Sequence, residues 1–174
     1  MHVPKFPNAP PGGQFPMENA IMEDNETLIR RWFEQLWNDK RVETIDEIFA
    51  PDGVSYGMLE GGVPTYGREH WKQVHAAFCA AIPDLHIELL SIISSGDQVA
   101  VRFVATGVNS GPFQGIPASN EAVRIDGMCT ALIRNGQILE GRNVIDMLGF
   151  LQQIGASPKI AEIAAAKLQE LSPI

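Results

Sequence analysis

Four side chains of this 174-residue sequence combine useful chemistry with an apolar setting: His75, Tyr56, Asn143 and Cys129. His75 falls on a stripe of Trp71, Val74, Phe78, Cys79 and Ile82 that repeats at helical spacing over residues 67–82. A half-shielded histidine titrates near neutrality and can move a proton, although the same placement suits a core histidine with one buried hydrogen bond. Tyr56 is the polar-tipped aromatic of a short strand pattern at 54–58. It can donate to a carbonyl oxygen or simply find one partner inside the core. Asn143 is the one strongly polar group on an otherwise apolar strand face, and its amide can hydrogen-bond a carbonyl or enolate oxygen. Cys129 shares that face, where a thiol becomes a nucleophile only beside a cation, and nothing in the sequence places one there.

The element that positions these groups is residues 122–154, which read as two strands joined at Asn135-Gly136 and running into a short helix. A two-residue loop would mix Glu140 and Arg142 with the apolar set. A three-residue loop (Arg134, Asn135, Gly136) instead gathers Ile125, Gly127, Cys129, Ala131, Ile133, Leu139, Gly141, Asn143 and Ile145 on one face. Arg124, Asp126, Glu140 and Arg142 then take the other face, and that register is preferred because it separates apolar from charged residues. The inner face is apolar but small, and Gly127, Cys129, Ala131 and Gly141 would leave room for a guest or let a helix pack close. Asp146 stands where a helix N-cap belongs, ahead of a helix at 147–153 closed by Gly155.

The rest of the chain supplies walls. Leu28, Ile29, Trp32, Phe33, Leu36 and Trp37 predict a first helix, and Val42, Ile45, Ile48 and Phe49 a second, shorter one ended by Pro51. Strands are expected at 85–93 and 98–106, the second with Val99, Val101, Phe103 and Ala105 on one face and Arg102 on the other. Residues 109–120 read as a loop over one end of the sheet. The prolines and glycines of residues 1–24 predict a mobile or extended arm, and residues 156–174 a final helical extension, leaving 25–155 as the domain proper. Helices followed by a run of strands is an α+β order: N-terminal helices packed on a strongly curved antiparallel sheet, a half-closed cone around a pocket.

Composition narrows the partners. A formal charge of -8 and a pI near 4.9 argue against a nucleic-acid or anionic-membrane surface. No stretch approaches the roughly 20 apolar residues that span a bilayer, and no secretory signal is expected. Two cysteines make neither a disulfide framework nor metal-ligand spacing, so a reducing, cytoplasmic setting without a metal is expected.

The segments Phe49-Ala50-Pro51-Asp52, Ala80-Ala81-Ile82-Pro83-Asp84-Leu85, Gly96-Asp97-Gln98-Val99-Ala100-Val101-Arg102, Gly111-Pro112-Phe113-Gln114-Gly115-Ile116-Pro117 and Leu148-Gly149-Phe150-Leu151-Gln152-Gln153-Ile154-Gly155 resemble the SnoaL-like polyketide cyclases of the nuclear transport factor 2-like superfamily. The resemblance spans about residues 25–155 and implies a cone-shaped, usually dimeric fold with a cavity between helices and sheet. In such cyclases an aspartate on the last strand, aided by a histidine on the preceding one, closes a polyketide ester ring by aldol chemistry. By motif spacing those positions are Asn143 and Cys129 here, and a neutral amide cannot act as that base. The same aspartate position serves limonene epoxide hydrolases, whose pattern Arg142-Asn143 partly echoes. The expected site is therefore His75, Tyr56 and Asn143 as catalytic groups, with Trp71, Phe78, Phe103, Gly127, Cys129, Ala131, Gly141 and Ile145 around the substrate. It points to a cofactor-free cyclase or isomerase acting on a small apolar carbonyl compound. The alternative is a non-catalytic binding protein that kept the cavity and lost the acid/base pair.

Overall fold

The computed structural model describes residues 23–58 and 62–157. The expected arm up to residue 22 and the expected C-terminal helix beyond Ser157 lie outside the described residues. The chain opens with α1 (Asn25–Arg31), where the Asp24 side chain caps the helix by accepting from the Thr27 backbone N–H at 2.9 Å. The helix then widens into a π-helical segment, Trp32–Asn38, with a five-residue bond from the Asp39 N–H to the Glu34 carbonyl. Pairing five residues apart sets Trp32 and Trp37 above one another. The amide of Asn38 closes this segment onto the sheet by bonding both backbone groups of Ile87, as a neighbouring strand would.

After α2 (Thr44–Ile48) come β1 (Phe49–Tyr56), β2 (Thr65–Tyr66) and α3 (Gly67–Ala81). Phe49, expected at the end of the second helix, instead begins a strand. Pro51 disfavours helical backbone in the residue before it and cannot donate a helical bond itself. A meander of β3 (His86–Ser95), β4 (Gln98–Val108), β5 (Ala122–Arg134) and β6 (Gln137–Ile145) follows, and α4 (Met147–Gln153) closes the described chain. The strand order is β2-β1-β6-β5-β4-β3, a curved, unclosed sheet. Every pairing is antiparallel except β1 with β6, which is parallel because the chain reaches β6 only after crossing α3 and running through the meander.

The hairpin between β5 and β6 turns in two residues, not the expected three. Arg134 pairs with Gln137, and Asn135 and Gly136 both take positive φ, +52° and +73°. Such a pair is what a two-residue hairpin turn needs, and Asn-Gly supplies it at low cost. The pairing then slips by one residue at Leu139, so Ile138 rather than Leu139 packs in the core beside Ile133. That bulge restores the expected partition further along, where Ala131 faces Gly141, Cys129 faces Asn143 and Gly127 faces Ile145.

The loop at 109–120 is anchored by Asn109, which is fully buried. Its amide donates to the carbonyls of Ala81 and Gly111 and accepts from the Ser119 backbone and hydroxyl. This satisfied side chain holds Phe113 between Phe78 of α3 and Phe150 of α4. Asp146 caps α4 as expected, accepting from the Gly149 N–H at 2.9 Å. No helix among the described residues is long and apolar enough to cross a membrane.

Candidate functional site

The inner face of the sheet and the helices over it enclose a narrow cavity in which about 70 Å³ is open to the centre of a water molecule. Its floor is Ser55 of β1, Gly141, Asn143 and Ile145 of β6, and Cys129 and Ala131 of β5. Its walls are aromatic: Trp32, Phe33 and Trp37 from the π-helical segment, Trp71 and Phe78 from α3, and Phe103 from β4. Met58 borders both this slot and a wider groove of about 390 Å³ lined also by Phe113, Ile116, Met147 and Leu151. That volume is room for only a few waters, too little as it stands for a polycyclic guest.

Of the residues expected at the site, Trp71, Phe78, Phe103, Cys129, Ala131, Gly141, Asn143 and Ile145 border the cavity together. His75, Tyr56 and Gly127 are not part of its lining. His75 is 4% exposed and its Nε2 lies 2.8 Å from the Leu36 carbonyl, with its ring against Trp37 at 5.0 Å. Burial, with the Lys40 ammonium adding to it, holds its pKa below the usual 6.5 despite the Leu36 hydrogen bond. Tyr56 sits one residue out of phase: its parallel partner is Arg142, whose guanidinium lies 4.5 Å from the ring centre on the outer face of the sheet. Its neighbour Ser55, paired with Gly141, points inward instead. Gly127 opens no space for a guest, because a Cβ there would come 2.3 Å from the Phe103 ring that already covers it.

Asn143 has its direction set by the protein. Its Nδ2 donates to the Tyr56 carbonyl at 2.9 Å and to Ser55 Oγ at 3.0 Å. A carbonyl can only accept, so the amide nitrogen must face Tyr56 and Oδ1 is the atom left for a ligand. Asn143 therefore offers an acceptor, whereas the sequence suggested a donor to an oxyanion. The two strands also come close here: Gly57 has φ +80°, and a Cβ there would stand 1.9 Å from the backbone carbonyl oxygen of Asn143. Cys129, opposite Asn143, has its thiol pKa pushed up to about 12 by burial, so it stays protonated at neutral pH. Ser55 and Met58 were missed from sequence. Trp32, Phe33 and Trp37 were read only as a core stripe, since periodicity does not separate a residue that fills the core from one that borders a hole in it.

A family model described as SnoaL-like polyketide cyclase matches residues 27–154. The chain belongs to the SnoaL-like polyketide cyclase family. Its solved neighbours share the nuclear transport factor 2-like cone. A candidate SnoaL-like polyketide cyclase from Jannaschia sp. CCS1 is 26% identical over 75% of this chain and 91% of its own, with a TM-score of 0.69. IdmH, a candidate polyketide cyclase from Streptomyces antibioticus, is 29% identical over 75% and 97%, with a TM-score of 0.65. AclR, a candidate hydroxylase from Streptomyces galilaeus, is 24% identical over 75% and 92% with a TM-score of 0.62, a likeness of fold alone. No curated protein matches the chain. The positions where the resemblance puts the family's acid/base pair, Asn143 and Cys129, are direct cross-strand neighbours on the cavity floor of this SnoaL-like chain.

Proposed function

We propose that this SnoaL-like protein binds a small, apolar, carbonyl-bearing molecule of the polyketide kind and promotes its ring closure chiefly by holding it folded. The transferred proton passes through water, with no metal or organic cofactor. One observation carries the reading: among the described residues, the cavity is bordered by no Asp, Glu, His, Lys or Arg side chain, and its one thiol stays protonated. Orientation alone can contribute effective molarities on the order of 10⁵ M and above, enough for a cyclisation that the substrate's own groups already favour. His75 is read here as a core residue that braces the π-helical segment through Leu36.

The same lining favours a second reading, a binding protein that kept the cavity and lost the acid/base pair. Purified protein scanned by thermal shift against polycyclic aromatic esters, ketosteroids, terpenoid epoxides and simple lipids, with product analysis of each hit, separates the two. A ligand at a hundred times its Kd stabilises by roughly 2.7 kcal/mol. A ring-closed product from a stabilising ligand is the expected result; binding without conversion establishes the second reading, and no stabilisation anywhere removes both.

The protein pairs with a second copy through the outer sheet face, where Met128 and Val144 lie opposite each other, 56% and 75% exposed. Both charge signs surround them, from Arg102, Arg124, Asp126 and Arg142, as a self-complementary two-fold contact requires. The net negative charge disfavours nucleic acid, and two free thiols fit a cytoplasmic setting.

A further inference from the structure

We propose that the indole N–H of Trp71 is the recognition donor of the cavity, receiving a ketone, ester or quinone oxygen of the bound molecule and so deciding which end of that molecule lies innermost. The inference rests on the cavity being a ligand site, as proposed above.

Trp71 is 4% exposed and borders the cavity. Its ring is held edge-on by three neighbours: Trp32 at 5.5 Å, Trp37 at 6.1 Å and Phe49 at 6.1 Å. A side chain packed on several sides cannot swing away to find solvent. Its Nε1 is nonetheless buried with no hydrogen-bond partner. Buried donors are almost always paired, so an unpaired one in a fixed position has a missing partner. Two other described side-chain atoms share this condition, Arg31 Nε and Thr65 Oγ1, but neither residue borders the cavity. Of the three, Trp71 alone borders the cavity, which makes a ligand oxygen the candidate partner for its N–H.

The polar side chains of the cavity floor set the complementary requirement. Both Asn143 amide hydrogens are used within the protein, and Cys129 is at most a weak donor. Ser55 Oγ already accepts from Asn143, so its own hydrogen is available beside Asn143 Oδ1. Trp71 thus supplies a donor from the helical wall, while Ser55 and Asn143 supply a donor and an acceptor from the sheet. A molecule satisfying all three carries a carbonyl at one end and a hydroxyl or enol at the other. A site built to pair a substrate oxygen rejects the analogue that lacks it, because the protein donor is then left unpaired.

The test uses 1-tetralone and its deoxygenated counterpart tetralin, nearly the same in shape, with binding measured by calorimetry on the wild type and on Trp71→Phe, which keeps a ring and removes the N–H. The expected result is a wild-type preference for the ketone that falls roughly tenfold in the variant, with tetralin affinity changing less than about twofold. In the wild type, the Trp71 indole N–H resonance should move downfield with 1-tetralone and stay in place with tetralin, a readout that does not depend on the variant folding. Equal losses for both probes, or an unmoved resonance on ketone binding, would overturn the proposal by leaving the N–H against a neighbouring ring face. Tetralin and tetralone binding equally to the wild type would overturn it while leaving the cavity a ligand site. Binding of neither would remove the cavity reading and this one together.

Discussion

Asn143 and His75 are the two residues whose roles change most between sequence and structure. The Asn143 amide nitrogen faces a backbone carbonyl, so a carboxylate at that position would set two acceptors against each other. Asn143→Asp is expected to lower stability at pH 7 by about 1–3 kcal/mol. Protonation lets the carboxyl donate to the Tyr56 oxygen, so the folded-state pKa lies above the unfolded carboxylate value of about 3.9. Stability is then present at low pH and lost as pH rises through the folded pKa, which urea melts of this variant at pH 4.5 and 7.5 will show. His75 has the opposite sign: its folded pKa is depressed below 6.5, so the unfolded chain binds the proton more readily. Its contribution is fully present above pH 6.5 and declines as pH falls below that value. A His75→Gln variant, still able to donate to Leu36, should show a flatter denaturation midpoint between pH 7.5 and 5.

Among elements, β5 and the π-helical segment do most to shape the cavity. Gly127 lies opposite Phe103 across the β4–β5 pair, and the missing side chain is what lets that ring lie flat on the strand as a cavity wall. Gly127→Ala would push the ring toward Phe33, 5.4 Å away between centroids, narrowing the slot. Overpacking of this kind costs about 1–3 kcal/mol. The expected outcome is a lower Tm together with weaker binding of any cavity ligand. The π-helical turn places two tryptophans against Trp71, and Asn38 locks the turn to β3. That coupling joins the aromatic wall to the sheet edge, so the helix cannot lift from the sheet without breaking the two bonds between the Asn38 amide and the Ile87 backbone.

For the whole molecule, the sheet has a small-residue inner face that holds the cavity and an outer face that carries exposed apolar groups amid paired charges. The proposed pairing would bury that outer face against a second copy, and a lysine at its centre would then place like charges together across a two-fold axis. Val144→Lys is therefore expected to shift the protein from dimer to monomer in sedimentation velocity at micromolar concentration. A monomeric wild type in the same experiment would reject the pairing.

Much of this was legible in the chain itself. Helical stripes located α1 and α3, alternation located the meander strands, Asp146 announced its cap, and five separated motifs pointed to the family that the comparisons establish. These signals are local, set by side-chain period and turn chemistry, and one chain suffices to read them. The site needed contacts between distant segments. Whether Tyr56 or Ser55 looks inward depends on the register with Gly141 and Arg142, some 86 residues away, and a shift of one residue exchanges the two faces. The direction of the Asn143 amide depends on a carbonyl from β1, and the burial of His75 on the π-helical segment folding over it. Gly141 borders the cavity and Gly127 does not, although they are the same residue type: a Cβ would press on Ser55 Oγ at 3.3 Å in one case and on the Phe103 ring at 2.3 Å in the other. Sequence determined the elements and the family; tertiary packing decided which of their side chains meet in the cavity, because that depends on register and neighbours rather than on residue type.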